Sequence, residues 1–198
     1  MKALAAAACL LFIAACRTAQ PAGSAFPPLR AATAGEARAE LHERAAAFAG
    51  ARSLMRVRLT TPDRTQSFRA QLSIPDRNTM ELTVYTPIGT RAAVVRAAGE
   101  KITIEGGSGS VTGSAEELAR PFGFYAGGLQ PAEMAMLLIG MPPRTDLTLE
   151  VTPAGIASAM VGDVSVVFEP PSFPAQRVVV TRGPNRVEIE HAEVVAAQ

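Results

Sequence analysis

Apolar and polar residues take turns along much of this chain. Met55, Val57 and Leu59 alternate with Arg56 and Arg58. Phe68, Ala70, Leu72 and Ile74 alternate with Arg69, Gln71 and Ser73, and Met80, Leu82 and Val84 alternate with Glu81 and Thr83. A period of two sends successive side chains to opposite faces of a strand, so each run predicts a half-buried antiparallel strand. The separators "TPDRT" at 61–65 and "PDRN" at 75–78 place Pro and Asp where tight turns use them. Strand patterns return at Leu147/Leu149/Val151, 156–161, Val164/Val166/Phe168, 178–181 and Val187/Ile189. The whole count is about eleven short strands and three helices.

The helices come from a different period. From about Gly35, an Ala-rich stretch sets Leu41, Ala45 and Phe48 on one narrow stripe, with Gly50 as the stop. After "KITIE", the sequence "GGSGS" reads as a loop leading to Ser114-Ala115-Glu116-Glu117, a capping box that opens a short helix ending at Pro121. A third helix begins at Pro131 and runs to about Ile139, closed by Gly140 and Pro142-Pro143. Its "EMAMLLIG" is apolar on nearly every side, so it needs cover all round or an apolar partner on its outer face.

One turn departs from the usual chemistry. Thr86-Pro87-Ile88-Gly89 has Pro and Gly in the second and fourth places of a tight turn, yet its tip is an isoleucine. Turn tips are bent and wet, and favour Asn, Asp, Gly or Ser. Two readings are open: Ile88 folds back on a neighbouring strand, or it points outward toward something apolar.

The N-terminus bears on location. Lys2 followed by an apolar run from Leu4 to Ile13 has the shape of a signal peptide, too short to span a bilayer, which takes roughly twenty residues. The run ends Ile13-Ala14-Ala15-Cys16, which resembles the lipobox of bacterial lipoproteins; a plain secreted protein with a chance cysteine is the alternative. The resemblance implies cleavage before Cys16 and acylation of that residue. Arg17 stands where an Asp would mark inner-membrane retention, so the outer membrane, facing the periplasm, is the expected address. Two or more chains at about 0.8 kcal/mol per buried methylene hold such a protein stably. Residues 1–15 are thus expected to be signal, 16–34 an Ala/Pro/Gly-rich tether, and 35–198 one domain.

Of the two cysteines in the 198 residues, Cys9 belongs to the signal and Cys16 to the anchor. The domain therefore carries neither disulfide nor cysteine-ligated metal. A net charge of +1, with arginines scattered among acids, gives no footprint for nucleic acid. His42-Glu43 lacks the second histidine of a zinc helix, and His191 is far away in sequence; both read as ordinary surface or boundary histidines. The glycines at 106, 107 and 109 miss both the serine elbow and the dinucleotide fingerprint, where Ser110 and Thr112 stand. No catalytic residue, metal ligand or cofactor is expected, and the chain does not read as an enzyme.

So many one-sided strands suggest a mainly β fold, a strongly curled sheet or incomplete antiparallel barrel with a helical lid. Few large side chains are available to fill it, which leaves an apolar cavity or a packed core as competing outcomes.

The element order resembles LolB, the outer-membrane receptor for lipoproteins related to the periplasmic carrier LolA. Leading helix, meander, "TPIGT", capped helix, "GLQPAEMAMLLIGMPP" and final strands ending "RVEIEHAEVV" carry the resemblance over roughly residues 36–195. It implies an acyl-chain cavity, for which Met80, Leu82, Val84, Met134, Leu137 and Leu138 are the matching candidates by facing direction and lid position. It implies that Pro87, Ile88 and Gly89 form a loop protruding toward the membrane, and that the partners are lipoprotein acyl chains, a LolA-like carrier and outer-membrane lipid. A monomer is expected. A lipid-sensing or purely structural envelope lipoprotein of the same fold is the rival. The sequence departs from the family in having no Trp near the lid helix, where Met134, Met136 and Leu137 stand.

Overall fold

In a computed structural model, residues 24–107, 109–119 and 128–197 are described. The expected signal segment, Cys16, the tether up to residue 23, Ser108 and Pro121 lie outside the described residues. The order is β1 (Ser24–Ala25), α1 (Ala34–Ala46), β2 (Ala51–Thr60), β3 (Thr65–Asp76), β4 (Thr79–Tyr85), β5 (Arg91–Ala98), β6 (Lys101–Gly106) and β7 (Gly109–Ser114). There follow α2 (Ala115–Ala119), α3 (Pro131–Leu138), β8 (Thr148–Thr152), β9 (Gly155–Val161), β10 (Val164–Phe168), β11 (Arg177–Arg182) and β12 (Asn185–Ala196).

The alternation does what it predicts. On β2 the odd positions 51, 53, 55 and 57 are buried while Arg52, Arg56 and Arg58 are exposed. Turn chemistry then fixes register. Asp76 Oδ1 accepts from the backbone N–H groups of Asn78 at 2.8 Å and Thr79 at 2.9 Å, closing the β3–β4 connection in an Asx turn. Those donors, Asn78 foremost, hold the Asp76 carboxyl below its usual range. All pairings are antiparallel, in the order β7-β6-β5-β4-β3-β2-β12-β11-β10-β9-β8, with β1 added to β12. β7 and β8 end this path without pairing to each other, so the sheet curls into a barrel that does not close.

Two details differ from the sequence reading. The "GGSGS" stretch is not an open loop: Gly109 to Ser114 form β7, paired to β6 from Gly106↔Gly109 to Lys101↔Ser114. Glycine-rich composition masked a hairpin in which Val111 is the lone apolar signal. Ser24–Ala25, within the stretch read as tether, pair with β12, and Phe26 and Leu29 pack on the core. Phe26 meets the Phe173 ring edge-on at 5.6 Å.

The helices cover separate parts of the inner face. α1 starts one residue before its expected position in a full capping box: Thr33 Oγ1 accepts from Glu36 N at 3.2 Å, and Glu36 Oε2 accepts from Thr33 N at 3.3 Å. It buries Ala37, Leu41 and Ala45 and packs on β8 and β9. Ser114 and Glu117 exchange the same reciprocal bonds at the start of α2. α3 packs on β3, β4 and β5 and buries Ala132, Ala135, Met136 and Leu137. Covering Met136 and Leu137 completely contributes about 1.5–3 kcal/mol each.

Candidate functional site

The sharpest anomaly lies at the β4–β5 turn. Gly89 N donates to Thr86 O at 2.9 Å and Thr86 N donates to Thr90 O at 2.8 Å, so the turn is fully bonded at its base. The two threonine hydroxyls add a 2.7 Å bond across it. Gly89 adopts φ +85°, a conformation that favours glycine. Ile88 is 86% exposed, with Pro87 and Gly89 exposed beside it. Of the two readings of Ile88, the outward one matches this geometry.

Five of the six apolar candidates gather against one core, and Val84, half-buried further along β4, is not packed on it. Met80 and Leu82 are half-buried on β4, directly where α3 crosses it. Met134 and Leu138 on α3 are half-buried too and, with Met80 and Leu82, pack against the main core, whereas Leu137 is wholly buried. Together these five form an apolar, methionine-rich seam between lid helix and sheet. Methionine is unbranched and polarizable, which lets such a seam repack around a flexible chain.

His191 holds the lid end of this seam. Its Nε2 donates to the carbonyl of Leu138, the last residue of α3, at 3.1 Å, and its Nδ1 accepts from Ser53 Oγ at 2.7 Å. Burial pushes the ring pKa down to about 4, with the Leu138 carbonyl opposing that shift. A neutral imidazole therefore ties helix, β2 and β12 together. Rather than an ordinary boundary residue, His191 is a clamp. Nothing in the sequence marks it as one, because its partners lie 53 and 138 positions away.

A groove of 630 Å³ runs beside the turn, bordered by the outward-facing Arg56, Arg69, Tyr85 and Glu190 and also by the core residues Met55 and Ala70 and by His191. Among the described residues no cluster of His, Cys, Asp and Glu could hold a metal, and no helix is long and apolar enough to cross a membrane.

No family model matches the chain, and no curated protein matches it. Among solved structures it is similar to a LolA superfamily protein from Nitrosomonas europaea, with a TM-score of 0.48, 7% identity, and coverage of 82% of this chain and 94% of that one.

Proposed function

We propose that this protein is a lipoprotein anchored through Cys16 in the outer membrane, facing the periplasm. There it binds the acyl chains of other lipoproteins and helps insert them into the bilayer. A soluble LolA-like carrier would bring the cargo, and no cofactor or catalytic step is needed. The observation that supports the reading is Ile88, held 86% exposed at a rigidly bonded tip. Burying one isoleucine contributes roughly 1.5–3 kcal/mol, too little to anchor a domain but enough to dip a tip into lipid once acyl chains hold it close. The Met134–Leu138 seam under an unclosed sheet supplies the apolar surface for a chain, and transfer runs down an affinity gradient of about 0.8 kcal/mol per methylene.

The test uses the mature chain, residues 16–198, carrying Cys16→Ala, which lacks the apolar run of residues 4–13 and cannot be acylated, and a fluorescent acyl-chain probe. Saturable probe binding in both this protein and its Ile88→Glu variant is expected, with transfer to liposomes lost only in the variant. Transfer indifferent to Ile88→Glu would turn the reading into lipid sensing. Absence of probe binding would mean a filled core and would end the transport reading.

A further inference from the structure

Strand register assembles a row of charge that no single segment displays. Glu190 on β12 lies opposite Arg56 on β2, Arg56 opposite Arg69 on β3, Arg69 opposite Tyr85 on β4, and Tyr85 opposite Arg91 on β5. All three arginines are exposed, and the row crosses the outer face at the base of the Ile88 turn. Like charges set directly opposite one another destabilise a sheet, yet Arg56 and Arg69 are placed that way. Among the described residues, none of the three makes an ion pair or a side-chain hydrogen bond.

The neighbouring acids are already engaged. Arg96 holds Glu81 at 2.8 Å and Glu105 at 2.6 Å, and Glu188 takes Arg177 at 2.9 Å and Arg186 at 3.1 Å. Only Glu190 offsets the row, which leaves it cationic. Arg56 and Arg69 border the 630 Å³ groove, with Leu54 half-buried at its edge and Tyr85 tied by its hydroxyl to Gln71 at 3.1 Å. Guanidinium groups matched to phosphate, a tyrosine at the boundary and an exposed isoleucine just beyond are the parts of an interfacial contact.

We propose that Arg56, Arg69 and Arg91 form a docking surface for the headgroups of anionic phospholipids, placing Ile88 at the bilayer. This rests on the reading that the Ile88 turn meets lipid, and adds the class of lipid it meets. Each arginine near an anionic surface strengthens partitioning about fivefold, so three together give on the order of a hundredfold.

Flotation with vesicles of pure phosphatidylcholine and of phosphatidylcholine with phosphatidylglycerol tests it, again on residues 16–198 carrying Cys16→Ala. The parent is expected to prefer anionic vesicles and to lose that preference as salt rises. The Arg56→Gln/Arg69→Gln/Arg91→Gln variant should lose the preference by about a hundredfold, and the uncharged Ile88→Ser should weaken binding to both vesicles while keeping their ratio. Arg69→Lys, which keeps the charge, should retain it, and the single Arg91→Gln should lose about fivefold even if the triple variant misfolds. An unchanged preference in both glutamine variants overturns the proposal, as does a parent that ignores anionic vesicles and captures an acidic protein instead. Acyl-probe binding, read in the same samples, separates the two ideas. Loss of probe binding with intact anionic preference sinks the transport reading alone, and the converse sinks this one alone.

Discussion

Acidification should loosen this fold through His191 before its carboxylates respond. The folded ring has a pKa of about 4 against 6.5 for the free group, because it is taken out of water among β2, β12 and the end of α3. Between those values the unfolded chain binds a proton that the folded one refuses, so stability falls as pH drops from 6.5 toward 4 and is fully present above 6.5. At 1.36 kcal/mol per pKa unit, the loss between pH 7 and pH 5 amounts to about 2 kcal/mol. The carboxyls of Glu40, Asp76, Asp163 and Glu188, all held low by hydrogen bonds, destabilise in the same direction but only at more acid pH. Urea unfolding of the wild type and of His191→Gln at pH 7 and pH 5 isolates the histidine. The variant starts less stable, and the wild type should lose about 2 kcal/mol more than the variant over that interval. With two histidines in the chain, imidazole NMR reads the titration directly. A His191 that titrates near 6.5, or equal pH losses in both proteins, would refute the clamp.

Three other outcomes follow from packing. Leu137→Ala, at a fully buried lid position, should cost about 2–5 kcal/mol in chemical denaturation; a loss under 1 kcal/mol would mean the seam collapses freely. Gly155→Ala should destabilise measurably by calorimetry, since its backbone sits at φ +152° and an added methyl would lie 2.6 Å from the Ser172 carbonyl carbon. Ile88→Glu should leave the melting temperature nearly unchanged, because an exposed tip contributes within about 0.5 kcal/mol; a large drop would show that the isoleucine is packed.

Local pattern carried most of the architecture. The meander of Met55, Ala70, Leu72 and their neighbours is legible because burial on one face forces alternation, and the Ser114 capping box is legible because its bonds span three residues, whereas the like box at Thr33 and Glu36 came only with the structure. The β7 strand was hidden because glycine and serine contribute no apolar alternation. Pairing was harder to see. Arg56 and Arg69 look like ordinary wet positions in two separate strands, and only register makes them neighbours. His191 and Ser53 likewise meet through the β12–β2 pairing and its bulge.

The entry of the chain into the sheet limits how the domain can stand. β1 joins β12 at Val195 and Ala196, and Ala196 faces Ala51 on the other side, whereas the Tyr85 row passes through Arg56. Five strand steps separate those rows, about 17 Å, and the rise to Ile88 adds at most about 10 Å. From Cys16 to Ser24 the chain has eight steps, a leash of about 28 Å at full stretch. Were Cys16 held in a bilayer as proposed, an upright domain would reach the same bilayer with Ile88 only by drawing those eight steps almost taut. Tipping the strands toward the membrane plane slackens them, and that posture can lay the Arg56–Arg69–Arg91 face along the headgroups. Leash length thereby becomes a setting for posture: a longer one lets the domain stand, and a shorter one makes it recline.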